Sequence, residues 1–153
     1  MSNQLKILMV CLGNICRSPL AEGILKHKVQ ERNLNWEVDS AGTSGFHAGE
    51  KPDRRSIAEA KKHQIDISEQ RSRQFRGWDL ESYDLIYVMD NSNLRDVLSL
   101  AKNEEEKAKV ILIMNELEPG SNINVPDPYY GEYGFENVYS MLDKACEAII
   151  NKY

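Results

Sequence analysis

The chain has 153 residues, 28% charged and 41% hydrophobic, with nine Gly and five Pro, which suits one compact domain and excludes a disordered tail, a fibrous repeat or two independent domains. Nineteen Lys and Arg against 24 Asp and Glu leave a formal charge of −5, the wrong sign for holding nucleic acid by phosphate neutralisation, so any bound phosphate must be met locally. No stretch approaches the roughly 18 apolar residues that span a bilayer, and Ile7 to Val10 is too short for a signal-peptide core, so a cytoplasmic address is expected.

Lys6 to Val10 (KILMV) is a nearly unbroken apolar run, the pattern of a strand buried on both faces. Pro19 to Arg32 carries Ala21, Ile24, Leu25 and Val29 at helical spacing, opened by Ser18 as N-cap and Pro19 as first helical residue. Trp36 to Ser40 predicts a second strand, the glycine-rich Ala41 to Lys51 a loop, and Pro52 to about His63 a second helix. Asp84 to Asp90 (DLIYVMD) predicts a third strand, Ser92 to Ala101 a helix, and Val110 to Met114 (VILIM) a fourth strand. Glu118 to Gly134, with Pro119, Pro126 and Pro128, is a loop long enough to suggest function. The last helix, Phe135 to Asn151, sets Val138, Met141, Leu142, Ala145 and Ile149 on one face. Short apolar strands alternating with helices imply right-handed crossovers and a parallel sheet covered on both sides. Ligands bind such sheets beyond the carboxyl ends of the strands.

At such an end lies Cys11-Leu12-Gly13-Asn14-Ile15-Cys16-Arg17-Ser18-Pro19. Backbone N–H groups of a loop that closes on a helix start converge and add the positive end of the helix dipole. Leu12, Gly13, Asn14, Ile15, Cys16, Arg17 and Ser18 are therefore the candidate phosphate cradle. Gly13 would let the backbone turn in tightly. A Walker-type loop is excluded, since GxxxxGK[ST] is absent. In its place stand a thiol at the loop's start and a guanidinium six residues later. A helix N-terminus favours the thiolate form of a cysteine, and an arginine fork can clamp two phosphoryl oxygens, so Cys11 and Arg17 are the candidate nucleophile and anion clamp. Ser18 could donate its hydroxyl to the thiolate. A buried cysteine after a strand is by itself most often an apolar filler, and it is the company of Gly13, Arg17 and Ser18 that turns Cys11 toward catalysis. Cys11, Cys16 and Cys146 are odd in number with no CxxC pair, which points to free thiols rather than disulfides or zinc. No histidine cluster suggests a metal, and no cofactor is expected.

C-x5-R-S directly after a strand resembles the signature of cysteine-dependent phosphatases, and the fuller CLGNICRSP is similar to the low-molecular-weight protein tyrosine phosphatase family. The resemblance continues through Val38-Asp39-Ser40-Ala41-Gly42-Thr43, Tyr87-Val88-Met89-Asp90 with Asn93-Leu94-Arg95, and Val125-Pro126-Asp127-Pro128-Tyr129-Tyr130. It implies an α/β, flavodoxin-like three-layer sandwich with a four-stranded parallel sheet in the order 2-1-3-4, as one domain over residues 1–153. It further implies hydrolysis of phosphotyrosine and small aryl phosphates through a phosphocysteine on Cys11, with Arg17 binding phosphate and Asp127 as general acid and base. A Pro-Asp-Pro loop would also favour Asp127 as an Asx-turn residue.

By the same resemblance Phe46, Tyr129 and Tyr130 border the substrate, where rings lining a deep slot would suit a phenyl ring and leave phosphoserine short. Asn14, Ser18 and Ser40 support the loop. Cys16 can pair with Cys11 under oxidation in this family, though a core-packing residue would read the same, and Cys146 reads as packing. Asp90 and Arg95 read either as structural partners or as solvated surface. Two departures stand out. Ser68-Glu69-Gln70-Arg71-Ser72-Arg73 lacks a histidine that many eukaryotic relatives carry, so its supporting hydrogen bond is expected to be missing or replaced. Phe46 stands where tryptophan is common.

Three other functions compete. A protein-arginine phosphatase has a similar loop that tends to have threonine where this chain has Ile15, and an apolar side chain favours an aromatic substrate over a guanidinium. An arsenate reductase of this fold resembles a relay through two further mid-chain cysteines, and none lies between Arg17 and Ala145. A phosphate-binding module without turnover needs neither thiol nor acid. The expected partner is a phosphotyrosine-bearing protein, with no nucleic acid and no membrane insertion, met by a monomer or a weakly self-associating chain. A basic rim at Lys51, Arg54 or Arg55 could meet acidic partners despite the overall charge.

Overall fold

A computed structural model describes residues 4–128 and 134–153. In chain order its elements are β1 (Lys6–Cys11), α1 (Arg17–Glu31), β2 (Glu37–Gly42), α2 (Arg54–Lys62), α3 (Asp79–Ser82), β3 (Leu85–Val88), α4 (Asn91–Leu98), α5 (Glu104–Ala108), β4 (Val110–Leu112), a single 3-10 turn (Ile113–Glu116) and α6 (Gly134–Lys152). The sheet is parallel throughout, in the order β2-β1-β3-β4. That order puts β1 at the centre, with Val10 beside Ala41 and Val88 and Cys11 beside Gly42.

The unbroken apolar run of β1 has a direct cause. Ile7 and Met9 face one layer, where Leu20, Ile24 and Leu25 of α1 and Leu142 and Ile149 of α6 cover them. Leu8 and Val10 face the other, packing with Phe75, Leu80 of α3, Ile86, Val88 and Val97 of α4. Both sets are wholly or almost wholly buried, and burying a side chain of this size stabilises the fold by about 1.5–3 kcal/mol. A central strand between two helical layers cannot alternate apolar with polar.

Several boundaries differ from expectation for local reasons. α1 begins at Arg17, with Cys16 rather than Ser18 in the N-cap position and no side-chain cap bond. Pro19 therefore lies inside the first turn, where N–H groups have no intrahelical partner and its missing one costs nothing. The Ser18 hydroxyl is turned to Cys11 instead. α2 begins at Arg54 rather than Pro52, and Asp53 caps it, accepting from the Arg55 backbone N–H. Asp90 ends the third strand by capping α4, accepting from Asn93 N–H at 2.8 Å. The fourth strand stops at Leu112, because the chain turns into the 3-10 segment there. α3 and α5, four and five residues long, are too short to show a helical period.

Candidate active site

The loop between β1 and α1 is shaped by where its carbonyls go. Cys11 O and Leu12 O accept from Thr43 and Ser44 N–H, both at 2.9 Å. Gly13 O accepts from Ser72 Oγ at 3.0 Å, and Ile15 O from Asp53 N–H at 2.8 Å. Cys16 O accepts from Leu20 N–H at 3.4 Å and from Ser56 Oγ at 3.4 Å. In a trans peptide the N–H points opposite to the preceding carbonyl. Carbonyls drawn outward thus turn the N–H groups of Leu12, Gly13, Asn14, Cys16 and Arg17 the other way, as an anion cradle requires.

The turn's left-handed residue is Asn14, at φ +56°, and not Gly13. Gly13 matters for space, because a Cβ there would lie 3.1 Å from His47 Cδ2. Gly42 matters more, since its Cβ would come within 2.7 Å of Leu12 O and 3.0 Å of Asn14 N. The end of β2 therefore lies directly against the cradle.

Cys11, 2% exposed, sits at the base, with Sγ 3.0 Å from Ser18 Oγ. The neighbours of that pair set what Ser18 can offer the sulfur. Asn14 Oδ1 accepts from Arg73 N–H at 3.1 Å, which orients the amide and aims Nδ2 at Ser18 Oγ (2.8 Å) and Ser40 Oγ (2.9 Å). Ser40 donates its own proton to Glu22 Oε1 at 2.6 Å. Ser18 receives from Asn14, and its own proton is available to Cys11 Sγ, an arrangement that suits a sulfur acting as acceptor. Glu22 is buried. That burial raises its carboxyl above the ordinary value, opposed by hydrogen bonds from Lys26 and Ser40.

Arg17, 7% exposed, donates from Nη1 to Asp90 Oδ2 at 2.7 Å and to Val125 O at 3.0 Å. Among the described residues Nη2 and Nε have no such partner, so the rest of the fork is available to an anion. Val125 also donates its N–H to Met89 O at 2.8 Å, and Asn124 Oδ1 accepts from Asn91 N–H at 2.9 Å and Nδ2 at 2.7 Å. These bonds pin the stem of the proline-rich loop to the end of β3 and the start of α4. Beyond the stem, Asp127 and Pro128 complete a cavity of about 330 Å³ that Cys11, Gly13, Ile15, Cys16 and Arg17 share with Ser44, Phe46 and His47.

The structure thus brings Cys11, Arg17 and Asp127 to one cavity, and links Asn14, Ser18 and Ser40 in one hydrogen-bonded chain behind it. Leu12 and Phe46 stand at the rim, Phe46 84% exposed and edge-on to His47 with ring centroids 4.9 Å apart. Tyr129 and Tyr130 lie outside the described residues. Cys146 is wholly buried, its thiol pushed up by that burial. Asp90 pairs with Arg17 rather than standing on the solvated surface. Sequence reading missed Glu22, which lies one helical turn beyond Ser18 with nothing in its own type to mark it. The stretch without the family's histidine still braces the loop, through Gln70 Nε2 on Pro19 O (3.1 Å), Ser72 Oγ on Gly13 O and Arg73 N–H on Asn14 Oδ1. No group of three or more His, Cys, Asp or Glu among the described residues is placed to hold a metal.

Comparison with known proteins gives the family and the fold. A family model described as low molecular weight phosphotyrosine protein phosphatase matches residues 6–152. The human low molecular weight phosphotyrosine protein phosphatase is 41% identical over 150 residues, 95% of this chain and 94% of its own. A crystal structure of a protein tyrosine phosphatase from Entamoeba histolytica, with Hepes in its active site, is similar at a TM-score of 0.89 and 38% identity over 97% of this chain and 96% of its own. A Drosophila arginine phosphatase reaches the same TM-score of 0.89 at 34% identity, over 97% of each chain. Backbone shape alone therefore does not separate the two substrate chemistries, and the pocket walls must.

Proposed function

The chain belongs to the low molecular weight phosphotyrosine protein phosphatase family, and on that premise we propose that it hydrolyses phosphotyrosine and small aryl phosphates through a phosphocysteine on Cys11. One observation carries the reading: Cys11 Sγ, 3.0 Å from Ser18 Oγ, shares a cavity with Arg17 and Asp127. In the first step Cys11 attacks phosphorus in line with the ester bond. The S–P bond forms, the P–O bond breaks, and the Asp127 carboxyl gives its proton to the leaving phenolate. In the second step the Asp127 carboxylate takes a proton from water, which attacks phosphorus and expels the Cys11 thiolate with inorganic phosphate.

Arg17 and the loop N–H groups hold the phosphoryl oxygens throughout and neutralise charge that develops on them. Asp90 keeps Arg17 at that station. The cycle as written runs without metal or cofactor. Ile15, Phe46 and Pro128 make the walls apolar where a phenyl ring would lie, which favours phosphotyrosine over the charged guanidinium of phosphoarginine. Tyr129 and Tyr130 are proposed as further walls. Cys16, lining the same cavity, is proposed to capture Cys11 as a disulfide after peroxide has oxidised it to the sulfenic acid, with loss of water.

Residues 1–153 are read as one catalytic domain, since both apolar layers pack on a single sheet. A reducing cytoplasm suits a mechanism that needs Cys11 free, and no helix among the described residues is long and apolar enough to cross a membrane. The partner is a phosphotyrosine-bearing protein rather than nucleic acid, met by a monomer or a weakly self-associating chain. Acid-quenching the enzyme during turnover of an aryl phosphate and locating the phosphoryl group by mass spectrometry tests the mechanism. It should be on Cys11, and absent along with turnover in Cys11→Ser. An adduct elsewhere would overturn the assignment.

A further inference from the structure

The loop between β2 and α2 has two sides. Ser44, Phe46 and His47 line the catalytic cavity, while Gly45 and Ala48, interleaved with them, line a second, open groove of about 780 Å³. From this shared wall the groove passes Arg73 and Asp39 and ends at Lys6, the first residue of β1 and so at the far end of that strand from Cys11. At about 3.3 Å per residue that distance is roughly 17 Å, the span of about five extended residues.

The charges in the groove do not cancel. Lys6, Arg73 and Arg76 line it against the carboxylates of Asp39 and Asp79, and Arg73 is held by both, with Nη1 and Nη2 each 3.1 Å from an Asp79 oxygen and Nε 3.6 Å from Asp39 Oδ2. Lys6 Nζ has only a looser contact with Glu37, at 3.8 Å, and lies 5.2 Å from the centre of the Tyr83 ring. Arg76 is exposed, and its guanidinium has no carboxylate partner among the described residues. Its backbone N–H is fixed to Asp79 Oδ2 at 2.9 Å, so the turn that presents it is braced. Trp78, two residues on, lines the same groove while 63% exposed, unusual for the largest apolar side chain. On a chain of net charge −5, a surplus cation beside an uncovered indole, in a groove that begins at the catalytic wall, is a local exception. Of the basic rim expected at Lys51, Arg54 or Arg55, Arg55 is engaged internally, with Asp53 at 3.1 Å and the Phe135 ring 4.8 Å away, while Lys51 and Arg54 are exposed.

We propose that this groove seats an acidic, extended segment flanking the phosphotyrosine of the protein substrate, with carboxylates at Arg76 and Lys6 and an apolar or planar side chain against Trp78. The inference rests on the phosphatase reading and adds what the catalytic cavity alone lacks, a choice among phosphotyrosine sites by their neighbours.

The test measures kcat/KM for the full chain, Arg76→Glu and Trp78→Ala on three substrates: p-nitrophenyl phosphate, a phosphotyrosine peptide with Asp and Glu on both flanks, and the same peptide with Asn and Gln in their place. The full chain should prefer the acidic peptide by about fivefold or more, chiefly through KM, and Arg76→Glu should abolish that preference. Trp78→Ala should weaken both peptides by about threefold or more, while p-nitrophenyl phosphate turnover stays within about twofold in all three proteins. Equal use of the two peptides by the full chain, or a preference that survives Arg76→Glu, overturns the groove and leaves the phosphatase standing. A loss shared equally by p-nitrophenyl phosphate assigns Arg76 to the fold and overturns it too. No turnover of p-nitrophenyl phosphate by the full chain overturns the phosphatase reading, and the groove with it.

Discussion

Asp90 serves two ends with one carboxylate: Oδ2 holds Arg17 at 2.7 Å while Oδ1 caps α4 through Asn93 N–H at 2.8 Å. Asp90→Asn keeps the shape and removes the charge opposite a nearly buried guanidinium. A charge-assisted hydrogen bond contributes about 1.5–3 kcal/mol, so kcat/KM for an aryl phosphate should fall by about tenfold or more. Steady-state kinetics within twofold of the parent would remove Asp90 from the site. Sequence reading left this residue open because its partner lies 73 positions away, a pairing that only the adjacency of β1 and β3 creates. Cys11, Arg17, Asn14, Ser18 and Asp127 were legible because each falls inside a short motif whose chemistry is local. Glu22 makes a prediction of a different kind. Burial raises its carboxyl above the ordinary 4.5, against the pull of Lys26 and Ser40. A group whose folded-state pKa exceeds the unfolded one adds stability that is full below the unfolded value and lost as pH rises through the folded one. The stability of the parent relative to Glu22→Gln should therefore decline as pH rises from about 4.5 through the raised value and then level off. Denaturant titrations of both proteins across that window test this, and a constant difference would contradict it.

At the scale of elements, the cradle depends on how closely the end of β2 approaches it. Gly42→Ala places a methyl 2.7 Å from Leu12 O, and backbone on both sides leaves little room to yield. Overpacking of this kind costs about 1–3 kcal/mol, and displacement of the loop should weaken inhibition by inorganic phosphate by about tenfold. Unchanged phosphate inhibition would mean that the loop takes its shape without β2. The central strands β1 and β3 were legible as apolar runs because they are covered from both sides, and α6 as a stripe because it is long, whereas the edge strand β2 carries exposed Glu37 and half-buried Asp39. The start of α1 was not. Ser18-Pro19 is a sound helix opening by local chemistry, yet the hydroxyl goes to Cys11 and the helix begins at Arg17. The site's demand on Ser18 overrides its capping preference. The turn at Asn14 was misplaced onto Gly13 for a related reason, since three side-chain hydrogen bonds hold Asn14 in the left-handed region that glycine would otherwise be expected to fill.

At the scale of the whole molecule, the three cysteines occupy two environments. Cys11 and Cys16 line the catalytic cavity, whereas Cys146 is sealed beneath α1 and its thiol is pushed up by burial. Alkylation of the native protein by iodoacetate should be confined to the cavity cysteines and slowed by inorganic phosphate, with Cys146 reacting only after unfolding. Peptide mapping that finds Cys146 labelled under native conditions would contradict the packing described. The central claim joins the chemistry of Cys11 to an aromatic substrate, and the comparison with an arginine phosphatase of the same backbone shape makes the second half the sharper one. The most direct measurement is phosphate release from matched peptides carrying phosphotyrosine or phosphoarginine, with chelator present, for the full chain and Cys11→Ser. Fast release from phosphotyrosine, slow release from phosphoarginine and loss of both in Cys11→Ser is the predicted result. Preference for phosphoarginine would contradict the reading of Ile15 and the cavity walls, and release that survives Cys11→Ser would contradict the phosphocysteine itself.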